Sequence, residues 1–299
     1  MFAITGATGN TGGVVAEKLL AGGARVRVIG RDAGRLERFV QKGAEAFPAD
    51  ITDAAALTRA FSGANAVYAL IPPNISSNDV RDYQERVSDA LASALRQASV
   101  SNAVTLSSVG ADKSEKVGPV IGLHNLEEKL NAIAGLNVIH LRAGYFMENL
   151  LPQVDVIRNF GIVGGPVRAD LPLPMIATRD IGAAAAELLT SGFSGKQSRE
   201  LLGQRHVNYK EVTTVIGRSI GKPDLAYVLL PAQQLKPALM QMGMSSNMAD
   251  LLLEMAEALN SGYMEALEPR SAANTTPTSI EGFVSDEFVP RFLGRAANA

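Results

Sequence analysis

The chain lacks cysteine and tryptophan altogether and has only three histidines among its 299 residues. Without cysteine there are no disulfide bonds, thiolate nucleophiles or cysteine-ligated metal sites, and this composition fits a reducing cytoplasm. The histidines His124, His140 and His206 form neither an HxxxH nor an HExxH pattern. We therefore expect no metal site built on histidine.

Excess charge of one sign and long apolar runs are also missing. The formal net charge is −2, and lysines and arginines form no long run, so a nucleic-acid partner is not expected. No apolar stretch reaches the roughly 18 residues of a membrane span, so a membrane partner is not expected either. Because the first strand pattern begins at residue 2, we predict no signal peptide and a cytoplasmic location.

A glycine-rich turn follows the first apolar run of the chain. Residues 2–5 have the pattern of a short strand, and a helical pattern begins soon after them. Between the two, glycines in a GxxGxxG spacing let the backbone reverse, let a pyrophosphate approach, and let the helix pack close to the strand. This context predicts a dinucleotide-binding turn, whose contacts would be Gly6, Thr8, Gly9, Asn10, Thr11 and Gly12.

Strand and helix patterns alternate through the first half of the chain. The predicted strands are 2–5, 25–29, 44–48, 66–71, 103–107 and 138–141, and the predicted helices are 12–21, 35–42, 54–61, 79–97 and 120–134. This alternation is typical of a parallel sheet with helices on both faces. Six strands joined by right-handed crossovers predict an α/β fold with a doubly wound, Rossmann-like sheet.

The pattern changes after about Leu150. A loop-rich stretch leads to an alanine-rich helix near 180–190, then to a strand at 200–202 and a helix at 209–220. We assign residues 1–150 to a nucleotide-binding domain and residues 151–299 mainly to a smaller region that covers the substrate. The helix near 180–190 is expected to return to the sheet. A capping box from Thr278 to Glu281 predicts a last short helix.

A segment from Met240 to Met264 contains six of the nine methionines. Five apolar residues of this segment share one helical face, namely Met248, Leu251, Leu252, Met255 and Leu259. One interpretation of this stripe is a core or oligomer contact, which allows a homodimer. The other is an adaptable apolar wall over a bulky flat ligand, because methionine repacks around irregular shapes.

The end of the second strand indicates which dinucleotide binds. A carboxylate there binds the ribose 2′-hydroxyl of NAD, whereas an arginine accommodates the 2′-phosphate of NADP. Arg31 stands at the first position that could reach the ribose, and Arg35 follows one helical turn later, so we expect NADPH to be preferred over NADH. Asp32 leaves a second interpretation open, since it could pair with Arg31 or bind the 2′-hydroxyl itself.

The end of the third strand carries a second candidate contact. Asp50, followed by Ile51, stands where the amino group of the adenine would be recognised. A helix-capping role for Asp50 is the alternative, although Asp53 is placed better as a cap.

Several longer motifs lie beyond these residues. They are Ala49-Asp50, Ser107-Ser108-Val-Gly110, His124-xxx-Glu128, Leu141-Arg-Ala-Gly-Tyr-Phe-Met-Glu-Asn149 and Ile176-Ala-Thr-Arg-Asp180. With the glycine turn and Arg31 they resemble the NmrA-like atypical short-chain dehydrogenase/reductases, which include the type-2 NAD(P)H:quinone oxidoreductases. The resemblance runs through most of the chain. It implies backbone contacts to the cofactor from Ala69, Leu70, Ile71 and Pro72, a further contact from Ser107, and a nicotinamide floor from Gly144, Tyr145 and Phe146.

The chain departs from the wider superfamily where that superfamily keeps a Ser, Tyr and Lys set. On the same helix spacing His124 takes the lysine position and Val120 the tyrosine position, while Ser108 matches the serine. Valine cannot donate a proton, so a Tyr–Lys ketoreductase mechanism is disfavoured. The candidate catalytic residues are therefore Ser108, His124, which could bind the ribose or an acceptor carbonyl, and Tyr145, which could supply the proton instead.

Hydride transfer to a quinone tolerates this loss, because the reduced quinone anion is stabilised by resonance and can take its proton from water. The protein then needs mainly to orient the acceptor on the cofactor. Our leading hypothesis is an NADPH-dependent oxidoreductase that acts on a quinone or related conjugated carbonyl. One alternative is an NAD(P)-binding redox sensor without turnover. Another is a sugar-nucleotide epimerase-like enzyme, which the missing Tyr–Lys pair weakens.

Overall fold

The computed structural model describes residues 1–294 and forms a layered α/β structure. The strands are β1 (Phe2–Thr5), β2 (Val26–Gly30), β3 (Glu45–Pro48), β4 (Ala66–Ala69), β5 (Asn102–Ser108), β6 (Asn137–Ala143), β7 (Tyr145–Phe146), β8 (Ile162–Gly165), β9 (Leu173–Ile176), β10 (Lys196–Leu201), β11 (His206–Val207) and β12 (Ala226–Leu229). The α-helices are α1 (Asn10–Ala21), α2 (Ala33–Val40), α3 (Ala54–Phe61), α4 (Val80–Gln97), α5 (Ile121–Asn131), α6 (Gln153–Phe160), α7 (Thr178–Ser191), α8 (Tyr209–Ser219), α9 (Ala232–Gln241), α10 (Ser246–Asn260), α11 (Ile280–Phe283) and α12 (Val289–Phe292).

The central sheet has seven parallel strands in the order β10-β6-β5-β4-β1-β2-β3. Successive residues of each strand face opposite layers. Ile4 of β1, for example, packs in the apolar core with α1, α2 and α7, whereas Ala3 packs in the core with α3, α4 and α5. The strand order reverses between β1 and β4, and this reversal leaves a crevice outside the carboxyl ends of the strands. The predicted doubly wound, Rossmann-like sheet is confirmed.

The sheet contains one strand more than the six predicted. The strand expected at 200–202 is the end of β10, which begins at Lys196 and pairs in parallel with β6. Its first residues, Lys196-Gln-Ser, are exposed at the sheet edge, so they lack the apolar pattern of the inner strands. α7, which leads into β10, packs against α1, where Gly182 allows the close approach of Val14.

The segments 145–177 and 202–294 form a second layer with its own apolar core, which includes Tyr209, Phe283 and Phe288. It contains a three-stranded sheet in the order β11-β9-β7 and the pair β12-β8. The five residues of the predicted apolar stripe all lie on α10, whereas Met240 lies on α9 and Met264 follows α10. No helix within residues 1–294 is long and apolar enough to cross a bilayer.

Side-chain caps fix the starts of six of the twelve α-helices described above, namely α2, α3, α4, α8, α10 and α11. Asp32 accepts from the N–H groups of Gly34 and Arg35, which starts α2 at Ala33, two residues before the predicted position. Asp53 caps α3, as its placement suggested. The predicted capping box from Thr278 is wrong, because Ser279 caps α11 and Thr278 is hydrogen-bonded instead to the carboxylate of Asp180.

Candidate active site

A cavity of about 1090 Å³ lies at the carboxyl ends of β1, β4 and β5, between the central sheet and the second layer. It is larger than a typical pocket for a small ligand, which suits a dinucleotide together with a second molecule. The cavity brings together most of the predicted site residues, namely Gly6, Thr8, Gly9, Asn10, Thr11, Arg35, Leu70, Ile71, Pro72, Ser107, Ser108, Tyr145 and Phe146. Six others do not line it: Gly12, Arg31, Asp50, Ile51, Ala69 and His124.

The glycine turn has the geometry that a phosphate-binding turn requires. Gly6 has φ +61°, and a Cβ added to Gly12 would lie only 2.4 Å from the Gly6 carbonyl oxygen. Gly12 therefore acts through this close approach rather than by facing the cavity. No side chain caps α1, unlike α2, α3 and α4, so the N–H groups of its first turn are free to bind an anion. These features fit the pyrophosphate of a dinucleotide.

Tyr68 supports this turn from below, a role that the sequence reasoning missed. Its hydroxyl donates to Thr11 Oγ1 at 2.9 Å, and Thr5 Oγ1 donates to the Tyr68 carbonyl at 3.2 Å. Thr5 Oγ1 also accepts from the Leu70 N–H at 3.3 Å, which ties the loop after β4 to β1. Burial raises the pKa of Tyr68, so its hydroxyl stays protonated. A tyrosine within a buried aliphatic strand was the available signal.

Arg35 is the arginine beside the turn. Its guanidinium donates to the Thr8 carbonyl at 3.2 Å and lines the cavity, whereas Arg31 is exposed outside the lining. Asp32 uses Oδ1 to cap α2. Asp50 Oδ1 accepts from both the N–H and the hydroxyl of Thr52, and these hydrogen bonds lower the pKa of Asp50.

Helix α5 presents a different residue to the cavity from the one expected. Leu123 lines the cavity, whereas His124 Nδ1–H donates to the Ala111 carbonyl at 2.8 Å. Glu128, the glutamate of the quoted motif, is exposed, and its neighbour Glu127 is buried. If the buried Glu127 is taken as the glutamate of the motif in place of Glu128, the lysine position four residues earlier falls on Leu123. Neither alignment gives α5 a tyrosine or a lysine on the cavity.

A buried ion pair holds α5 against the ends of β5 and β6. Arg142 donates to the Glu127 carboxylate through Nε and a terminal nitrogen, at 3.1 and 2.6 Å. The Ser107 hydroxyl donates to Glu127 Oε1 at 2.5 Å, so it points into this network. The Ser108 hydroxyl donates to the Val109 carbonyl at 2.8 Å. Ser107 and Ser108 still line the cavity, but both hydroxyl protons are engaged within the protein.

The segment Gly144–Phe146 forms the wall between the turn and the second layer. A Cβ on Gly144 would lie 2.1 Å from the Pro174 carbonyl oxygen, so only glycine lets β7 and β9 approach here. The Tyr145 hydroxyl accepts a hydrogen bond from Tyr209 at 3.0 Å, and Tyr209 stacks on Tyr227 with 4.7 Å between ring centroids. Burial raises the pKa of Tyr145, so its proton is retained at neutral pH. The hydroxyl hydrogen of Tyr145 takes no part in the hydrogen bond with Tyr209, because Tyr209 is the donor.

The opposite wall of the cavity is apolar. Met248, Met255 and Leu259 of α10 line it together with Met264. The other two stripe residues, Leu251 and Leu252, pack with Val80 instead. The stripe therefore contributes both to the core and to the cavity wall.

Comparisons with known proteins agree with this architecture. The model of the NmrA-like family matches residues 1–284. The NAD(P)H azoreductase of Xenophilus azovorans is 27% identical over 299 residues, which cover 99% of this chain and 94% of that protein. Quinone oxidoreductase 2 of Escherichia coli strain K12 is 28% identical over 260 residues, which cover 85% of this chain and 86% of that protein.

A solved structure gives the same fold. The NADPH-dependent quinone oxidoreductase of Escherichia coli, crystallised with NADPH, superimposes with a TM-score of 0.74 at 23% identity, covering 100% of this chain and 96% of that chain. The family match extends over nearly the whole sequence, from the glycine turn into α11. The chain belongs to the NmrA-like family.

Proposed function

We propose that this protein is an NAD(P)H-dependent reductase that prefers NADPH and transfers hydride to a quinone or a related conjugated carbonyl. The observation that carries this proposal is the continuity of one cavity. It joins the glycine turn at the uncapped start of α1 to the apolar wall of Met248, Met255, Leu259 and Met264. The names of the azoreductase and quinone oxidoreductase relatives support a conjugated acceptor.

The residues present assign a role to each part of the cavity. The turn binds the pyrophosphate, and the backbone at Leu70–Pro72 lies where a ribose would pass. When bound, the nicotinamide nucleotide supplies the hydride. Phe146 and Gly144 support the ring from one side, while the methionine wall orients a flat acceptor and excludes water from it. Residues 151–294, apart from α7 and β10, cover the acceptor in this scheme; residues 295–299 of the predicted covering region lie outside the described part of the chain.

Tyr145 is the proton donor in this proposal. It lines the cavity and keeps its proton, and the Tyr209 hydroxyl donates to its oxygen. A hydrogen bond to that oxygen stabilises the phenolate that forms when the proton leaves. Because His124 donates to the Ala111 carbonyl and lies off the cavity, it orients the start of α5 in this scheme, and Ser108 contacts the ligand without giving a proton.

The proposed preference for NADPH rests on two arginines, Arg31 directly after β2 and Arg35 in the first turn of α2. Arg35 borders the cavity beside the turn. Arg31 lies close enough to Asp50 and Tyr83 for its positive charge to act to lower the pKa of both groups. The carboxylate of Asp32 is engaged in capping α2, so it is less available to bind the 2′-hydroxyl of NADH.

A cytoplasmic location and a homodimer are also proposed. The first rests on the cysteine-free composition and the second on the methionine-rich segment.

Stopped-flow mixing of NADPH-loaded protein with a panel of quinones tests the reductase. Acceptor-dependent oxidation of NADPH is expected, and its absence with every acceptor would overturn the proposal. Equal affinity for oxidised and reduced nucleotide without turnover would favour the sensor instead. For the proton, Tyr145→Phe should slow turnover about 100-fold or more, the lower limit of the usual range for a general acid. Tyr263→Phe, at an exposed position off the cavity, should leave the rate unchanged.

A further inference from the structure

An arginine that has no acidic partner among residues 1–294 lines the cavity on the side of the second layer. Arg270 follows α10 in an irregular segment, and its terminal nitrogens donate to the carbonyls of Gly203 and Leu202 at 2.5 and 2.9 Å. A further donation reaches Nδ1 of His206 at 3.1 Å, and His206 also lines the cavity. Every acceptor of these hydrogen bonds is uncharged. The guanidinium is therefore held in place but not neutralised.

Of the two glutamates that line the cavity on this side, Glu268 is engaged in other hydrogen bonds. Glu265 and Glu268 line the same cavity, but within residues 1–294 no carboxylate oxygen lies within salt-bridge distance of Arg270. The Glu268 carboxylate accepts from the Glu200 N–H and from the Asn274 side chain, both at 3.4 Å. Burial lowers the pKa of Arg270, yet a guanidinium stays charged in proteins.

His206 adds a second donor beside the guanidinium. Burial and the charge of Arg270 lower the pKa of His206, so its imidazole is neutral near pH 7. Because Nδ1 accepts from Arg270, the ring hydrogen resides on Nε2. In the sheet β11-β9-β7, His206 pairs with Pro174 and Phe146 pairs with Ile176. Strand spacing and rise place the Cα atom of His206 roughly 12 Å from the Cα atom of Phe146, a separation that a small fused aromatic molecule can span.

We propose that Arg270 and His206 form a subsite for an anionic substituent, a carboxylate or a sulfonate, on the conjugated acceptor. This inference rests on the reductase proposed above and specifies its substrate class. A guanidinium that is already fixed by two backbone carbonyls loses little freedom on binding an oxyanion, and its charge-assisted hydrogen bonds are strong. The acceptor would then lie between the Gly144–Phe146 wall and this subsite.

A purely structural role makes a different prediction. If Arg270 only fixed its own segment to the β10–β11 loop, replacing it would lower the affinity of the cavity for every ligand by the same factor. The binding test therefore uses two unreactive ligands of the same shape, naphthalene-2-sulfonate and the uncharged naphthalene-2-sulfonamide, with NADP⁺-saturated protein in a calorimeter. Binding requires no turnover, so this test is independent of whether any quinone is reduced.

The sulfonate is expected to bind about tenfold or more tightly than the sulfonamide. Arg270→Gln should reduce the ratio of the two affinities by about 10- to 100-fold, the range for hydrogen bonds to a charged group. Arg96→Gln removes the same charge from an exposed position outside the cavity and should preserve the wild-type ratio. An unchanged ratio in Arg270→Gln, or a loss confined to NADP⁺ affinity, would overturn the subsite.

Two further measurements keep the test decisive. If Arg270→Gln does not fold, His206→Leu should still lower the ratio about threefold or more, and a wild-type ratio in this variant would overturn the proposal. In turnover, the wild-type kcat/KM ratio of 1,4-naphthoquinone-2-sulfonate to 1,4-naphthoquinone should exceed that of Arg270→Gln. Failure of both quinones to react would contradict the reductase alone, because the binding arm still decides the subsite.

Discussion

Replacing Gly12 by alanine tests the turn on which cofactor binding depends. The added Cβ would lie 2.4 Å from the Gly6 carbonyl oxygen and 2.9 Å from the Thr5 carbonyl oxygen, whereas ordinary contact begins at 3.4 Å. The neighbours are backbone atoms that cannot rotate away, so α1 must move by about 1 Å relative to the turn. Overpacking of this kind costs about 1–3 kcal/mol, and the better helix propensity of alanine returns about 1 kcal/mol.

We therefore expect Gly12→Ala to lower the free energy of unfolding by up to about 2 kcal/mol. Its larger effect should be on the nucleotide, because the displaced N–H groups of α1 no longer face the pyrophosphate. A loss of NADPH affinity of at least about tenfold is expected, which corresponds to about 1.4 kcal/mol. Fluorescence titration with NADPH and urea unfolding measure the two effects separately.

Gly22→Ala is the matched control at the other end of the same helix. Gly22 has φ −78°, and a Cβ there would lie 3.5 Å from its nearest neighbours. Stability should change by less than about 0.5 kcal/mol and NADPH affinity should stay at the wild-type value. If Gly12→Ala bound NADPH as well as Gly22→Ala does, the close approach of α1 to the turn would not position the phosphate site.

Two more predictions concern the nucleotide preference and the pH dependence of stability. Arg31→Ala should weaken NADPH binding by about 1–3 kcal/mol with little effect on NADH, and Arg35→Ala provides the comparison with the arginine on the cavity. Equal losses for both nucleotides in titrations would exclude a 2′-phosphate contact. Burial lowers the pKa of His140 from 6.5 to about 4, so the unfolded chain binds a proton that the folded chain does not, and stability falls as the pH drops below about 6.5. His140→Gln should abolish about 2 kcal/mol of the decrease in unfolding free energy between pH 7.5 and pH 5, and denaturant titrations with identical pH dependence in both proteins would contradict this assignment.

The inner part of the fold was predictable because its signals are local. Each inner strand is a short apolar run, and the turn after β1 is specified by glycines whose spacing has a direct steric meaning. The edge strand β10 lacks this signal. Lys196-Gln-Ser face solvent, and β10 joins the sheet only because α7 returns the chain across α1. That return depends on a tertiary contact between Gly182 and Val14, which no pattern within β10 encodes.

The glycine turn of the candidate site was predictable for the same reason, whereas the opposite end of the cavity was not. Tyr145 and Tyr209 are hydrogen-bonded although they lie 64 residues apart in the sequence, and the same separation holds for His206 and Arg270. Side chains from such separate segments form a site only after the second layer has folded. On α5 the expected alignment placed His124 on the cavity. The buried pair of Glu127 and Arg142 fixes the helix rotation instead and presents Leu123.

The apolar surface of α5 has a consequence for the acceptors that this protein can reduce. A Tyr–Lys pair protonates the oxygen as hydride arrives, which is necessary when the product would otherwise be a localised alkoxide. Leu123 and Val120 offer no such proton on that side of the cavity. Acceptors whose added charge spreads over a conjugated system need that proton less. The absence of a Tyr–Lys pair therefore slows their reduction less. Such flat molecules have few hydrogen-bonding groups to fix their orientation. In our proposal the wall of Met248, Met255, Leu259 and Met264, with Arg270 beyond it, would supply that orientation by shape and charge.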